Sequence, residues 1–195
     1  MVSKVFWLSD LFICNFYIFF IMTFIDYIEP WKNVLLRPSD FYRKMPKTGG
    51  YIDPVLFATV NLSISMLIYL FFNSEADVLI DALSRAPMVA SITIFIGGIG
   101  ALFVEATMLY IIYKAIGGTG TYEGTARFVL YASAAPMFIW VPLIGWIFGI
   151  YQFYLYLVGG KFVHNISMER SALAILLLIS FSLASGVLLW ILKKG

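Results

Sequence analysis

The chain has almost no cysteine, almost no histidine and little charge. Cys14 is the only cysteine among 195 residues. Neither an intrachain disulfide nor a thiolate metal cluster can therefore form. His164 is the only histidine, which excludes sites built on several imidazoles. Charged residues make up 12% of the chain, against about a quarter in an average soluble domain. The formal net charge is +2, and no basic stripe of the kind nucleic acid requires is visible. No serine or cysteine has a base at a suitable spacing, so no catalytic nucleophile can be argued. The expectation is a protein that is not an enzyme and uses no cofactor.

What is present is apolar. Hydrophobic residues reach 62%, with 18 Phe and 12 Tyr, and the mean hydropathy is +0.91. This composition reads as an all-α integral membrane bundle. Three parts are expected: a hydrophobic segment over 1–22, a polar region over 23–54, and a membrane domain over 55–192. Val5 to Ile25 is long enough for a transmembrane helix of about 20 residues. Asp10 interrupts it and no small-x-small cleavage site follows, so it is a poor signal peptide. Two readings stand, an extra membrane helix or an upstream extension of a true start at Met22.

The polar region holds the longest polar run, Arg37 to Pro54. Its prolines Pro38, Pro46 and Pro54 and the Gly49-Gly50 pair prevent one continuous helix. Just before it, Phe24, Ile28, Trp31 and Leu35 recur at steps of four, three and four. That spacing predicts an amphipathic helix lying in the interface plane, starting near Pro30 and ended by Pro38. Trp31, Lys32, Arg37, Arg43, Lys44 and Lys47 are the expected contacts to anionic lipid headgroups.

Five core spans are expected: Val55–Phe72, Met88–Tyr113, Gly124–Trp140, a fourth from Pro142 to Gly160, and Ser171–Leu192. Gly97, Gly98 and Gly100 mark a soft point in the second. Asn73 to Ala86 is expected as an acidic loop. Ser167 is a good N-cap for the last span, with Glu169 in its first turn. Orientation follows from Lys and Arg in the loops. With the polar collar in the cytoplasm, Lys32, Arg37, Arg43, Lys44, Lys47, Lys114, Arg127, Lys161 and Arg170 lie inside. Lys4, Arg85, Lys193 and Lys194 lie outside. The expected place is the cell membrane, multi-pass, with the collar cytoplasmic and the C-terminus opposite.

Glu105 is the one ionisable residue deep inside an expected core span, and a carboxylate there needs a protein partner or a proton. It lies nine residues before Lys114, as Gln152 lies nine before Lys161, so both sit roughly 13 Å above the inner surface. A buried polar layer joining Glu105, Gln152 and Asn61 is expected. It is either an interhelical hydrogen-bond clamp or an ion or proton site. Gly97-xxx-Ala101, Gly145-xxx-Gly149 and Ser182-xxx-Gly186 are small-residue pairs that let helices approach closely, with packing inside the bundle preferred over a homodimer contact. Gly118 to Gly124 resembles a phosphate loop only superficially, since it follows a membrane helix rather than a strand; it reads as a tight turn. His164 has no ligand-type neighbours in sequence, so an interfacial hydrogen bond is its expected role.

Several motifs fall in a familiar order. Leu36-Arg37-Pro38-Ser39-Asp40-Phe41-Tyr42 is followed by Met45-Pro46, Gly49-Gly50-Tyr51 and Pro54. Later come Tyr131 to Pro136, Pro142 to Gly145, Gly159-Gly160, and His164 to Ser167. Together they resemble the Yip (Ypt-interacting protein) domain over about residues 24 to 192. The resemblance implies a five-helix membrane bundle, N-terminus in the cytoplasm and C-terminus on the other side. Eukaryotic members act in vesicle traffic and associate with Rab-type GTPases, and they carry a sizeable cytoplasmic N-terminal region. This chain has only the short collar and looks like a prokaryotic member. The expected function is a non-enzymatic scaffold or bilayer-shaping protein, with a membrane-protein partner or a homo-oligomer. The alternative is a small ion- or proton-coupled transporter or channel using Glu105.

Overall fold

The computed structural model describes residues 27–73 and 76–194. The segment over 1–22 and the Phe24 end of the amphipathic stripe lie outside the described residues. A helix, α1, runs through 27–36. It is followed by α2 (Pro38–Lys44), α3 (Ile52–Phe72), α4 (Ala76–Arg85), α5 (Pro87–Ala115), α6 (Tyr122–Ala132), a 3₁₀ turn (Pro136–Phe138), α7 (Gly145–His164) and α8 (Met168–Lys194). The described residues contain no strand. Three helices are long and apolar enough to cross a membrane: Ile52–Phe72, Met88–Ala115 and Met168–Lys194.

The short helix α6 is the axis. Nearly all of it is buried, from Gly124 to Leu130 and again at Ala132, and α3, α5 and α7 pack around it. A helix surrounded on all sides carries apolar residues on all sides, as Phe128, Val129 and Leu130 do. The expected third span does not continue as one helix to Trp140. Pro136 has no N–H to bond Ala132, so the helical ladder fails there. The chain tightens first, with Ser133, Ala134 and Ala135 bonding three residues back to Leu130, Tyr131 and Ala132. The turn at Pro142 is as tight as expected. Leu143 has φ +69°, and a Cβ on Gly145 would lie 2.1 Å from the Ile139 carbonyl oxygen, so only glycine fits.

The expected outer loop is also corrected. Ala76–Arg85 within it form the helix α4, in which Asp81 pairs with Arg85 at 2.8 Å one turn on. α5 is an unbroken α-helix of 29 residues through Gly97, Gly98 and Gly100.

Burial is uneven along the bundle. In α3 the buried residues are Pro54, Phe57, Ala58 and Asn61, all in its first half. α7 buries Leu155, Tyr156, Val158, Gly159, Gly160, Val163 and His164 towards its end. The α5 residues Leu102, Ala106, Leu109 and Tyr113 and the α8 residues Ala174, Ile175 and Leu178 complete this core. The packed core thus sits at the collar end. At the far end large apolar side chains point outward: Phe71 is 81% exposed and Trp146 82%. Among lipid tails such exposure carries no hydrophobic penalty.

Candidate functional site

The collar is built onto this core. Pro38 occupies the first turn of α2 and is buried, as is Tyr42 one turn on. Proline suits that position because its missing N–H would be unpaired anyway. The Tyr42 hydroxyl points to the Phe128 carbonyl at 3.5 Å, and Phe41 packs edge-on to Tyr131. The Tyr151 hydroxyl donates to the Leu35 carbonyl at 2.6 Å. α1 turns Val34 fully inward, with Tyr27, Trp31 and Leu35 packed beside it, and the Trp31 ring meets Phe138 edge-on. The expected interfacial stripe is thereby corrected. Trp31 faces the bundle, Ile28 is 39% exposed, and the helix is already formed at residue 27, ahead of Pro30. Of the expected headgroup contacts, Lys32, Arg37, Arg43 and Lys44 are exposed and Lys47 is half-buried.

Past α2 the chain reverses through Gly49 (φ +119°) and Gly50 (φ +84°), conformations that favour glycine. Two side chains one turn apart on α6 hold this loop. The Gly50 N–H donates to Glu123 Oε1 at 2.7 Å, and Arg127 Nη1 donates to the Gly50 carbonyl. Arg127 is buried, although sequence alone placed it among the loop cations. The i, i+4 spacing of Glu123 and Arg127 was the only available signal for this clamp. Tyr51 then packs on Phe103, and Pro54, buried in the first turn of α3, leads into the helix.

His164 is the second feature of this end. It is fully buried and stacks on Tyr113 at 4.6 Å. The Thr125 hydroxyl donates to the Thr121 carbonyl at 2.9 Å, so its 2.8 Å contact with His164 Nε2 is assigned with the imidazole N–H as donor. Nδ1 is then an acceptor without a partner. It faces the glycine-rich turn, where a Cβ on Gly118 or Gly120 would lie 2.9 Å from it. That turn is no phosphate cradle: the Gly118 N–H donates to the Tyr113 carbonyl and the Thr119 N–H to the His164 carbonyl. Burial first, then the charges of Lys114 and Lys47, push His164 down to a pKa of about 4. Gly160 admits the Tyr113 ring, 2.3 Å from where a Cβ would stand. Ser167 Oγ accepts from the Arg170 N–H at 3.3 Å, opening α8.

The expected polar layer divides in two. Gln152 Nε2 donates to the Tyr156 hydroxyl, and that same hydroxyl faces Glu105. Tyr156, which sequence reasoning missed, thus stands between Glu105 and Gln152. Asn61 belongs elsewhere. It accepts from the Tyr27 hydroxyl at 2.6 Å and donates to Ser133 Oγ at 3.0 Å, tying α1 and α3 to the end of α6. Glu105 also lines a cleft of about 830 Å³ with Gly97, Ala101 and Ser182.

The small-residue pairs do not share one role. Gly145 is packed against backbone, and a Cβ on Gly149 would lie 3.8 Å from the Ile139 side chain. Gly97, Ala101, Ser182 and Gly186 are exposed, and a Cβ on Gly97 or Gly186 would meet nothing within 4 Å. The expectation that these two pairs pack inside the bundle is corrected, because no neighbouring helix covers these positions. Among the described residues, no group of three or more His, Cys, Asp or Glu could hold a metal ion.

A family model, the Yip1 domain, matches residues 32–191. Comparison with curated proteins and with solved structures found no match.

Proposed function

Because the chain belongs to the Yip1 domain family, we propose that this membrane protein is a non-enzymatic, five-span bundle that organises partners or shapes the bilayer from a fixed cationic collar. The five spans lie in α3, α5, α6 with its following turn, α7 as far as Gly160, and α8; His164 stands past the end of the fourth, and the collar faces the cytoplasm. One observation carries this reading. The collar backbone is held to the bundle by Glu123, Arg127 and Tyr151, while Lys32, Arg37, Arg43 and Lys44 remain exposed. Arg43 lies over the Phe162 ring, and Lys161 and Arg170 stand near the same end. Each basic side chain near an anionic surface contributes about 1 kcal/mol of attraction. The outward small-residue faces of α5 and α8 offer a surface on which a membrane-protein partner or a second copy packs closely.

The test is lipid selectivity around the reconstituted chain, read with spin-labelled phosphatidylglycerol and phosphatidylcholine. Preference for the anionic lipid should weaken as salt rises. A ratio indifferent to salt, or no preference, would remove the collar reading. A second reading rests on Glu105, which lines a cleft of about 830 Å³ between α5, α7 and α8. A transporter or channel working through it loses its ion- or proton-coupled flux in liposomes on Glu105→Gln. Flux that is absent, or unchanged by that substitution, excludes it.

A further inference from the structure

Between α1, α2 and α6 lies a cavity of about 320 Å³ that includes Asn33, Arg37, Asp40, Phe41, Lys44 and Tyr131 in its lining. Asp40 and Lys44, four residues apart, share one face of α2, and Arg37, the residue just before the helix, lines the same cavity. The axial step between Asp40 and Lys44 is about 6 Å. A carboxylate flanked by two cations at these spacings would ordinarily pair with one of them. Yet the ion pair found among the described residues is Arg85–Asp81, and neither Arg37 nor Lys44 reaches Asp40. The three charges therefore stand apart around the same opening, with the aromatic ring of Phe41 among them.

We propose that this cavity binds a phospholipid headgroup of the phosphoethanolamine type. The Arg37 guanidinium and the Lys44 ammonium take the phosphate, the first as a planar fork and the second as a point charge. The Asp40 carboxylate takes the primary ammonium, a charge-assisted hydrogen bond that a quaternary ammonium cannot donate. Two cations alone would suit any anionic headgroup. The unpaired Asp40 between them is what favours a zwitterion over a purely anionic headgroup, which would leave the carboxylate without a partner. Leu36, next to Arg37, is 69% exposed, an apolar flank suited to an acyl chain rather than to a free metabolite. The proposal rests on the collar lying against headgroups, as argued above.

The experiment is native mass spectrometry of the detergent-solubilised full chain. It is titrated with dioleoyl phosphatidylethanolamine, phosphatidylglycerol or phosphatidylcholine. The unmodified chain should bind the ethanolamine lipid about fivefold tighter than either other lipid, the ratio given by roughly 1 kcal/mol. Asp40→Asn should make the ethanolamine and glycerol lipids equal, and Asp40→Glu should restore the preference. Arg37→Gln with Lys44→Gln should lose all three. Equal binding of the ethanolamine and glycerol lipids to the unmodified chain, or a ratio unmoved by Asp40→Asn, would overturn the proposal. Displacement of the lipid by an equal concentration of glycerophosphoethanolamine would overturn the membrane source. If salt-dependent anionic selectivity is absent while Asp40→Asn still changes the lipid ratio, the collar reading fails and the headgroup site stands.

Discussion

At the scale of single residues, the glycines divide by what surrounds them. A methyl group on Gly160 would press into the Tyr113 ring, and overpacking of this kind costs about 1–3 kcal/mol. Thermal unfolding in detergent should show Gly160→Ala clearly destabilised. Gly97→Ala and Gly186→Ala meet open space and should leave stability unchanged or raise it, since alanine suits a helix interior better. The sequence reads all of these as small residues. It cannot separate them, because the difference lies in which neighbour stands opposite. His164 makes the same point. Its isolation in sequence excluded a metal site, but its burial against Tyr113 and Thr125 depends on contacts from α5 and α6. Its folded-state pKa is lowered to about 4 from an ordinary value near 6.5. The unfolded chain therefore takes the proton first. The stability that His164 contributes is complete above about pH 6.5 and is lost as pH falls toward 4. A melting-temperature series over that range should show a decline in the unmodified chain that is reduced in His164→Gln.

At the scale of elements, the collar and α6 behave as one unit. Gly50 bridges to Glu123 and Arg127, one turn apart. Removing the charged donor with Arg127→Met should loosen the loop while the bundle holds. A charged hydrogen bond contributes about 1.5–3 kcal/mol, so trypsin cleavage after Lys44 or Lys47 should accelerate roughly tenfold or more. Unchanged cleavage would mean that other contacts fix the collar. Much of this level is legible from sequence: Pro38, the paired glycines and Pro54 mark the breaks between helices, and Ser167 caps α8. What is hidden is the shortness of α6. Apolar residues continue past Ala132, so hydropathy sees a full span. Pro136 and the small residues before it end the helix through local hydrogen-bond geometry. The helix α4 is hidden for the opposite reason, since its polar content reads as loop while its 3.6-residue spacing makes an amphipathic turn.

At the scale of the whole molecule, the core is confined to the collar end and the far end presents apolar surface to its surroundings. Lipid tails tolerate that arrangement and water does not. The polar layer was only partly legible. Depth along the helices brings Glu105 and Gln152 to one level, but rotation about the helix axes decides that Asn61 turns to Ser133 instead. The central claim is that this bundle stands in a bilayer with its cationic collar on the cytoplasmic side. It is tested most directly by replacing Cys14 with serine, placing a cysteine at the exposed collar residue Thr48, and adding a membrane-impermeant maleimide. The account predicts labelling in inverted membrane vesicles and none in intact cells; labelling of intact cells would contradict it.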